Sequence, residues 1–117
     1  MALNKNAKKW VKALRSRKYK QTTGKLSQGG KFCCLGVACE LAVEAGVISA
    51  PRNNIYDDQG AWLPAKVMDW LGLAHHRGTY TDSHGDNTAM TALNDSRRYS
   101  FSKIARVIES EPKGLFK

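Results

Sequence analysis

The first 31 residues of the chain contain no acidic residue, although they contain ten lysines and arginines. The rest of the chain carries nine basic and ten acidic groups, so the formal net charge of +9 arises at the N-terminus. Because net charge governs steering and association rather than fold, we expect an anionic partner for this segment. Charge alone leaves three classes of partner open: a nucleic acid, a small nucleotide-type anion and an acidic protein.

The chain also lacks a long apolar run and a secretory pattern. Its longest apolar stretch, residues 32–50, is interrupted by Glu40 and Glu44 and is too polar for a membrane span. No apolar segment follows the basic N-terminal residues, as one does in a secretory signal. The apolar stripe of the N-terminal segment is too narrow for binding to a membrane surface. We therefore expect a cytoplasmic protein with no membrane partner.

Cysteine is scarce and is arranged poorly for disulfides. The chain has three cysteines, and Cys33 and Cys34 are adjacent. No Cys-x-x-Cys pair is present, which structural zinc sites usually require. Free cysteine is among the most buried residue types. We expect reduced, packed thiols and neither metal nor cofactor, while metal ligation and a reactive thiol remain the alternatives.

Hydrophobic residues recur every three or four positions near the N-terminus and predict a helix over residues 4–18. Its inward positions are Leu3, Ala7, Trp10 and Leu14. A second row on the same helix is basic and consists of Lys5, Lys8, Lys12 and Arg15. No glutamate stands four residues before these lysines, so the row has none of the usual helix-stabilising pairs.

Turn-forming residues divide the remaining chain into short elements. The first predicted element is a hairpin with its first arm over 19–26, its turn over 27–30 and its return strand over 31–33. Two helices follow, over residues 35–45 and 63–72. A short helix capped by Asp86 or Asn87 then ends at Leu93, and Ser100 caps a last helix. Residues 49–61 and 74–87 are predicted loops. The sequence thus predicts one globular domain over residues 1–117, of α+β class, with about four helices around a small antiparallel sheet.

Several motifs are spread over nearly the whole chain, and the most specific are Phe32-Cys33-Cys34-Leu35-Gly36-Val37 and Leu93-Asn94-Asp95. Together they resemble the pattern of a family of small proteins encoded by tailed bacteriophages. The chain departs from that pattern at Ser16-Arg17 and at Ser96-Arg97-Arg98, where the family usually has a glycine. The resemblance implies an accessory protein in the cytoplasm of an infected bacterium. Such proteins often counter host defences by binding a nucleotide immune signal or a defence protein.

A candidate binding surface follows the basic helix. Tyr19, Gln21 and Lys25 alternate and therefore share one face of the predicted arm, and Arg15 and Lys18 precede them. Cations suit phosphates, an aromatic ring suits a base and an amide suits a base edge. The same set suits single-stranded nucleic acid, and an ordinary solvent-facing sheet is the alternative.

Three more residues complete the predicted binding set. Trp62 lies in a loop and is predicted to line a pocket, whereas Trp10 and Trp70 are predicted core residues. Asn94 and Asp95 either close a turn after a helix or hydrogen-bond the ribose or base of a ligand. The full set is Arg15, Lys18, Tyr19, Gln21, Lys25, Trp62, Asn94 and Asp95.

Binding without turnover is the favoured function, and no catalytic residue is assigned. The segment from His75 to His84, with Asp82 and Asp86, is the best place for acid–base chemistry but carries no established catalytic motif. The leading hypothesis is sequestration of an anionic nucleotide-type host immune signal. The alternatives are a nucleic-acid-binding modulator of transcription or replication, an inhibitor of an acidic host protein, and an enzyme that cleaves cyclic nucleotides. A pocket shared between subunits of a homo-oligomer stays an open option.

Overall fold

The computed structural model describes residues 3–96 and 99–117. Helices and short strands alternate irregularly along this part of the chain, which confirms the α+β class. The helices are α1 (Lys5–Arg15), α2 (Cys34–Glu44), α3 (Ala65–Leu71), α4 (Met90–Asp95) and α5 (Phe101–Glu109). The strands are β1 (Lys20–Gln21), β2 (Ser27–Gln28), β3 (Lys31–Phe32), β4 (Thr79–Thr81) and β5 (Asn87–Ala89). In the described residues, no helix has the length and apolar character needed to cross a membrane.

The basic N-terminal helix forms as its periodicity predicts, although it ends at Arg15. Asn4 caps it, because its Oδ1 accepts a hydrogen bond of 2.7 Å from the N–H of Ala7. Its apolar side is fully inside the protein, and the indole N–H of Trp10 donates to the carbonyl of Cys34 at 2.8 Å. The basic row lies on the opposite side, in solvent.

The predicted hairpin forms only in part. Strands β2 and β3 are antiparallel around the turn at Gly29 and Gly30, but β1 lies on the other side of β3 and runs parallel to it. A continuous arm over residues 19–26 is therefore wrong. The chain turns at Gly24, whose φ is +79°, and the backbone N–H of the buried Leu26 donates to the carbonyl of Gly60 at 2.8 Å. Consequently Lys25 does not share a strand face with Tyr19 and Gln21.

Helix α2 lies at the centre of the fold and is buried over most of its length. Its first turn is capped twice: Cys33 Sγ accepts from the N–H of Gly36 at 3.3 Å, and Asn94 Oδ1 accepts from the N–H of Cys34 at 3.0 Å. A Cβ at Gly36 would stand 1.8 Å from the carbonyl oxygen of Leu26. This position therefore requires glycine, because the two backbones touch.

The loop before α3 is built from two consecutive tight turns. Asn53 and Asn54 have φ of 50° and 66°, and Asp57 and Asp58 have φ of 47° and 70°. Asn and Asp tolerate this left-handed conformation better than other non-glycine residues. Between the turns Tyr56 is fully buried and donates to Glu40 Oε2 at 2.6 Å. Burial and this hydrogen bond raise the pKa of Tyr56 above its ordinary range. The predicted loop over residues 49–61 is confirmed, and its pairing is limited to the isolated bridges of Arg52 with Ile55 and of Tyr56 with Gln59.

The segment 74–87, predicted as an irregular loop, contains part of a β-hairpin formed by β4 and β5. Asp82 Oδ1 closes its turn by accepting from the N–H groups of His84 and Asp86, each at 2.9 Å. Asp86 and Asn87 therefore do not cap α4, whose N-cap is Ala89. The α5 prediction is confirmed, with Ser100 Oγ accepting from the N–H of Lys103. Arg97 and Arg98 lie outside the described residues.

Candidate ligand-binding groove

Three adjoining depressions meet at Trp62, and we call them together the Trp62 groove. The Trp62 side chain is 46% exposed, and Ile55 beside it is 42% exposed. Trp62 is held against the imidazole of His76, with ring centroids 4.8 Å apart and planes inclined by 50°. One depression, of about 300 Å³, lies between Trp62, Met68 and His76. A large exposed indole fixed in this way offers a planar surface for stacking.

The outer subsite of the groove has a volume of about 490 Å³ and combines an apolar wall with amides. Its functional side chains are Lys25, Asn53, Asn54, Ile55, Gln59 and Trp62. The wall formed by the two tight turns is fixed, because Ser27 Oγ donates to Asn54 Oδ1 at 3.0 Å. Preformed walls of this kind lower the ordering cost of binding.

The inner subsite is a smaller depression of about 130 Å³ that shares Lys25 and Trp62 with the outer one. It adds Arg77, Thr91 and Asp95 to the lining. Thr91 Oγ1 is buried and has no hydrogen-bond partner among the described residues. Buried hydroxyls are normally paired, so this atom has hydrogen-bonding capacity that the described residues do not use. The subsite is thus lined by two cations and a carboxylate, with this hydroxyl beside them.

The thiol of Cys33 also lines the inner subsite, but it is only 4% exposed. Burial raises its pKa from the ordinary value of 9.0 to about 11. Burial likewise raises the pKa values of Cys34 and Cys39 above their usual range. Because the thiolate is the nucleophile and the metal ligand, these cysteines are packing residues at neutral pH. No cluster of His, Cys, Asp or Glu suited to a metal ion occurs in the described residues.

The structure brings Lys25, Trp62 and Asp95 together in the groove. Trp62 therefore lines a pocket as predicted. Asp95 Oδ1 also accepts from the N–H of Gly24 at 3.0 Å, which ties the turn beside Lys25 to α4. These three predicted binding residues come from three distant parts of the chain.

Three other members of the predicted set lie outside the lining of the groove. Arg15 forms an ion pair with Glu109 on α5. Lys18 Nζ lies 4.0 Å from a Glu44 carboxylate oxygen and 5.5 Å from the centroid of the Tyr19 ring. The Tyr19 ring meets Phe32 edge-on, with centroids 5.6 Å apart. Both cations, Arg15 and Lys18, thus have intramolecular partners.

Gln21 and Asn94 point into the fold and bond each other. Gln21 Nε2 donates to Asn94 Oδ1 and to the carbonyl of Tyr99, each at 3.0 Å. Asn94 is 1% exposed, and its Nδ2 donates to the carbonyl of Thr22 at 2.7 Å. With Cys34 N–H as a further donor, the Asn94 oxygen accepts two hydrogen bonds. The amide of Asn94 therefore joins α4 to the start of α2 and to Thr22, which directly follows β1. These contacts favour a structural role for Asn94 over the alternative of hydrogen-bonding a ligand.

Some lining residues carry no clear sequence signal. Arg77 precedes a strand in a segment predicted to be irregular, and Thr91 is an ordinary polar residue of a short helix. The Asn53-Asn54 pair was readable as a turn, and the structure shows that it lines the groove. The histidines, in contrast, are dispersed: His76 contacts Trp62, His84 lies in the β4–β5 turn, and His75 lines a separate open depression of about 580 Å³.

Comparison with known proteins adds a family. No curated protein and no solved structure matches the chain. One family match spans residues 3–112, and it therefore includes α1, the whole Trp62 groove and α5. The chain belongs to this family, which is described as a domain of unknown function, DUF8296.

Proposed function

We propose that the protein binds and sequesters an anionic nucleotide-type ligand in the Trp62 groove, without turnover. The observation that carries the proposal is the exposed Trp62 indole beside two cations and an unpartnered buried hydroxyl. The resemblance to tailed-phage accessory proteins suggests the setting: the cytoplasm of an infected bacterium, with a host immune signal as the ligand.

Each part of the groove matches one part of a nucleotide. A base stacks on the Trp62 indole, and such stacking is worth about 1–3 kcal/mol per base. The amides of Asn53 and Gln59 suit the hydrogen-bonding edge of that base. Lys25 and Arg77 suit phosphate oxygens, and charge-assisted bonds of this kind are the strong ones.

The inner subsite has a complementary role for the sugar. Asp95 offers carboxylate oxygens to ribose hydroxyls, as acidic residues do in other nucleotide sites. Thr91 Oγ1 bonds a further oxygen that enters the depression. Sequestration requires affinity alone, and every one of these groups contributes to affinity without having to move a proton.

Isothermal titration calorimetry against a panel of mononucleotides, cyclic mononucleotides and cyclic dinucleotides tests the proposal. We expect Trp62→Ala to weaken binding of the preferred ligand by about tenfold or more, the equivalent of one lost stacking contact. We expect the double variant Lys25→Gln with Arg77→Gln to weaken it further and to make binding less sensitive to salt.

The matched control is Arg15→Gln with Lys18→Gln, which removes the same two kinds of charge outside the groove. We expect this control to change affinity less than twofold at 0.15 M salt, near which the Debye length is about 8 Å. Equal losses in the two double variants, or unchanged affinity in Trp62→Ala, contradict the location of the site.

A further inference from the structure

A second surface, on α1, exposes four lysines that the groove does not use. Lys5, Lys8, Lys9 and Lys12 are all exposed, and in the described part of the chain none of their ammonium groups has a carboxylate within 4.0 Å. At about 100° of rotation per residue, the four lie within an arc of about 100°. They form one exposed cationic surface, which we call the α1 lysine row.

The row runs along α1 and borders the neighbouring helix α5. Lys5 and Lys12 are separated by about 10 Å along the helix axis, at about 1.5 Å per residue. Lys8, Lys12 and Arg15 also line an open groove of about 510 Å³, with Glu109 of α5 on its other wall. A linear polyanion can therefore lie along the row and meet successive cations.

Other anionic partners fit this surface less well. The apolar side of α1, with Trp10 fully buried, is not available for insertion into a membrane. Stable protein interfaces use buried apolar anchors, but the large exposed apolar side chains of the described residues are Ile55 and Trp62, and neither is on α1. Single strands need exposed aromatic platforms, and α1 exposes none. A duplex, which presents phosphates on its outside, needs only cations.

We propose that the α1 lysine row binds the phosphate backbone of double-stranded DNA without reading its base sequence. The side-chain amides nearest to the row support the absence of base-sequence reading. Asn6 Nδ2 donates to the carbonyl of Trp70 at 2.9 Å, and Asn4 Oδ1 is the helix cap. Neither is presented to a base edge, and lysine bonded to phosphate carries no sequence information. This proposal is independent of the Trp62 groove.

Fluorescence anisotropy with a labelled duplex of about 20 base pairs, titrated from low to high salt, tests the proposal. The test variant is Lys8→Gln with Lys12→Gln. The matched control is Lys66→Gln with Lys113→Gln, which are exposed lysines away from α1. Both lower the net charge by two units. Each lysine bonded to phosphate contributes about 0.9 to the slope of log K against log salt, so we expect the test variant to lose about 1.8 and the control to lose close to zero.

Equal slopes in the test and control variants overturn the proposal, because they show only a diffuse effect of net charge. Polyglutamate that competes as well as duplex DNA at equal charge also overturns it, in favour of an acidic protein partner. Trp62→Ala should leave duplex binding unchanged. If it abolishes duplex binding, the DNA is a ligand of the groove and the α1 row is not the site.

Discussion

Asn94→Ala removes a buried amide that joins three parts of the fold. In the native protein the oxygen of this amide accepts from the N–H of Cys34 and from Gln21 Nε2, and its nitrogen donates to the carbonyl of Thr22. Gln21 retains the carbonyl of Tyr99 as a partner in the variant. The N–H of Cys34 and the carbonyl of Thr22 lose their side-chain partner. We therefore expect a large loss of stability.

The magnitude follows from these two groups. The N–H of Cys34 is buried and costs about 1–3 kcal/mol when left unpaired, whereas the carbonyl of Thr22 is only partly buried and costs less, so the two together cost about 3 kcal/mol. Unfolding entropy is about 2.1 cal/mol/K per residue, which for 117 residues gives about 0.25 kcal/mol per kelvin. The expected decrease in Tm is therefore about 12 °C. Calorimetry and urea denaturation with a two-state fit measure it.

The control is Thr91→Val on the same helix, which removes a hydroxyl without a hydrogen-bond partner in the described residues. We expect its Tm to change by less than about 4 °C, equivalent to about 1 kcal/mol, while its affinity for the proposed nucleotide-type ligand falls. The reasoning is refuted if Asn94→Ala keeps native stability and loses ligand affinity, because Asn94 would then be a binding residue rather than a structural one.

Two further predictions concern the core. Gly36→Ala should destabilise the protein by about 3 kcal/mol or more in urea denaturation, because the new Cβ meets the carbonyl of Leu26. Gly60→Ala, whose Cβ meets only the flexible end of the exposed Ile55, should cost less than about 1 kcal/mol, and equal costs contradict the close approach. The raised pKa of Cys33, about 11, favours the protonated thiol in the folded state. Its contribution to stability is therefore full below pH 9 and is lost as the pH rises towards 11. The urea concentration at the unfolding midpoint, measured at pH 7, 9 and 10.5, reports this loss. A midpoint concentration that is higher at pH 10.5 than at pH 9 contradicts it.

The helices were the most predictable part of the fold, because their signals are local. The spacing of Trp10 and Leu14, Pro64 before α3 and the Ser100 cap all mark helices that the structure contains. The parallel pairing of β1 with β3 was not predictable in this way. It depends on the turn at Gly24 and on the hydrogen bond from Leu26 to Gly60, which connects residues far apart in sequence.

The candidate site was predictable only in single residues. Trp62 was found as a tryptophan in a predicted loop. Lys25 was chosen for its alternation with Tyr19 and Gln21 on one strand, which the structure does not contain, although Lys25 does line the groove. Their neighbours Arg77 and Thr91 come from the β4 and α4 regions, and only tertiary structure brings them to the groove. The sequence is equally consistent with Gln21 and Asn94 in a binding site or in the core, because a side-chain amide can hydrogen-bond either a ligand or other groups of the fold. The hydrogen bonds decide between these interpretations.

The central claim is that the Trp62 groove holds an intact nucleotide-type ligand. The most direct measurement is mass spectrometry of the small molecules released when the protein, purified from phage-infected bacteria, is denatured. We predict that the wild-type protein releases an intact nucleotide in stoichiometric amount and that Trp62→Ala, purified in parallel, releases much less. Release of a cleaved nucleotide, or of no nucleotide from the wild-type protein, contradicts the account.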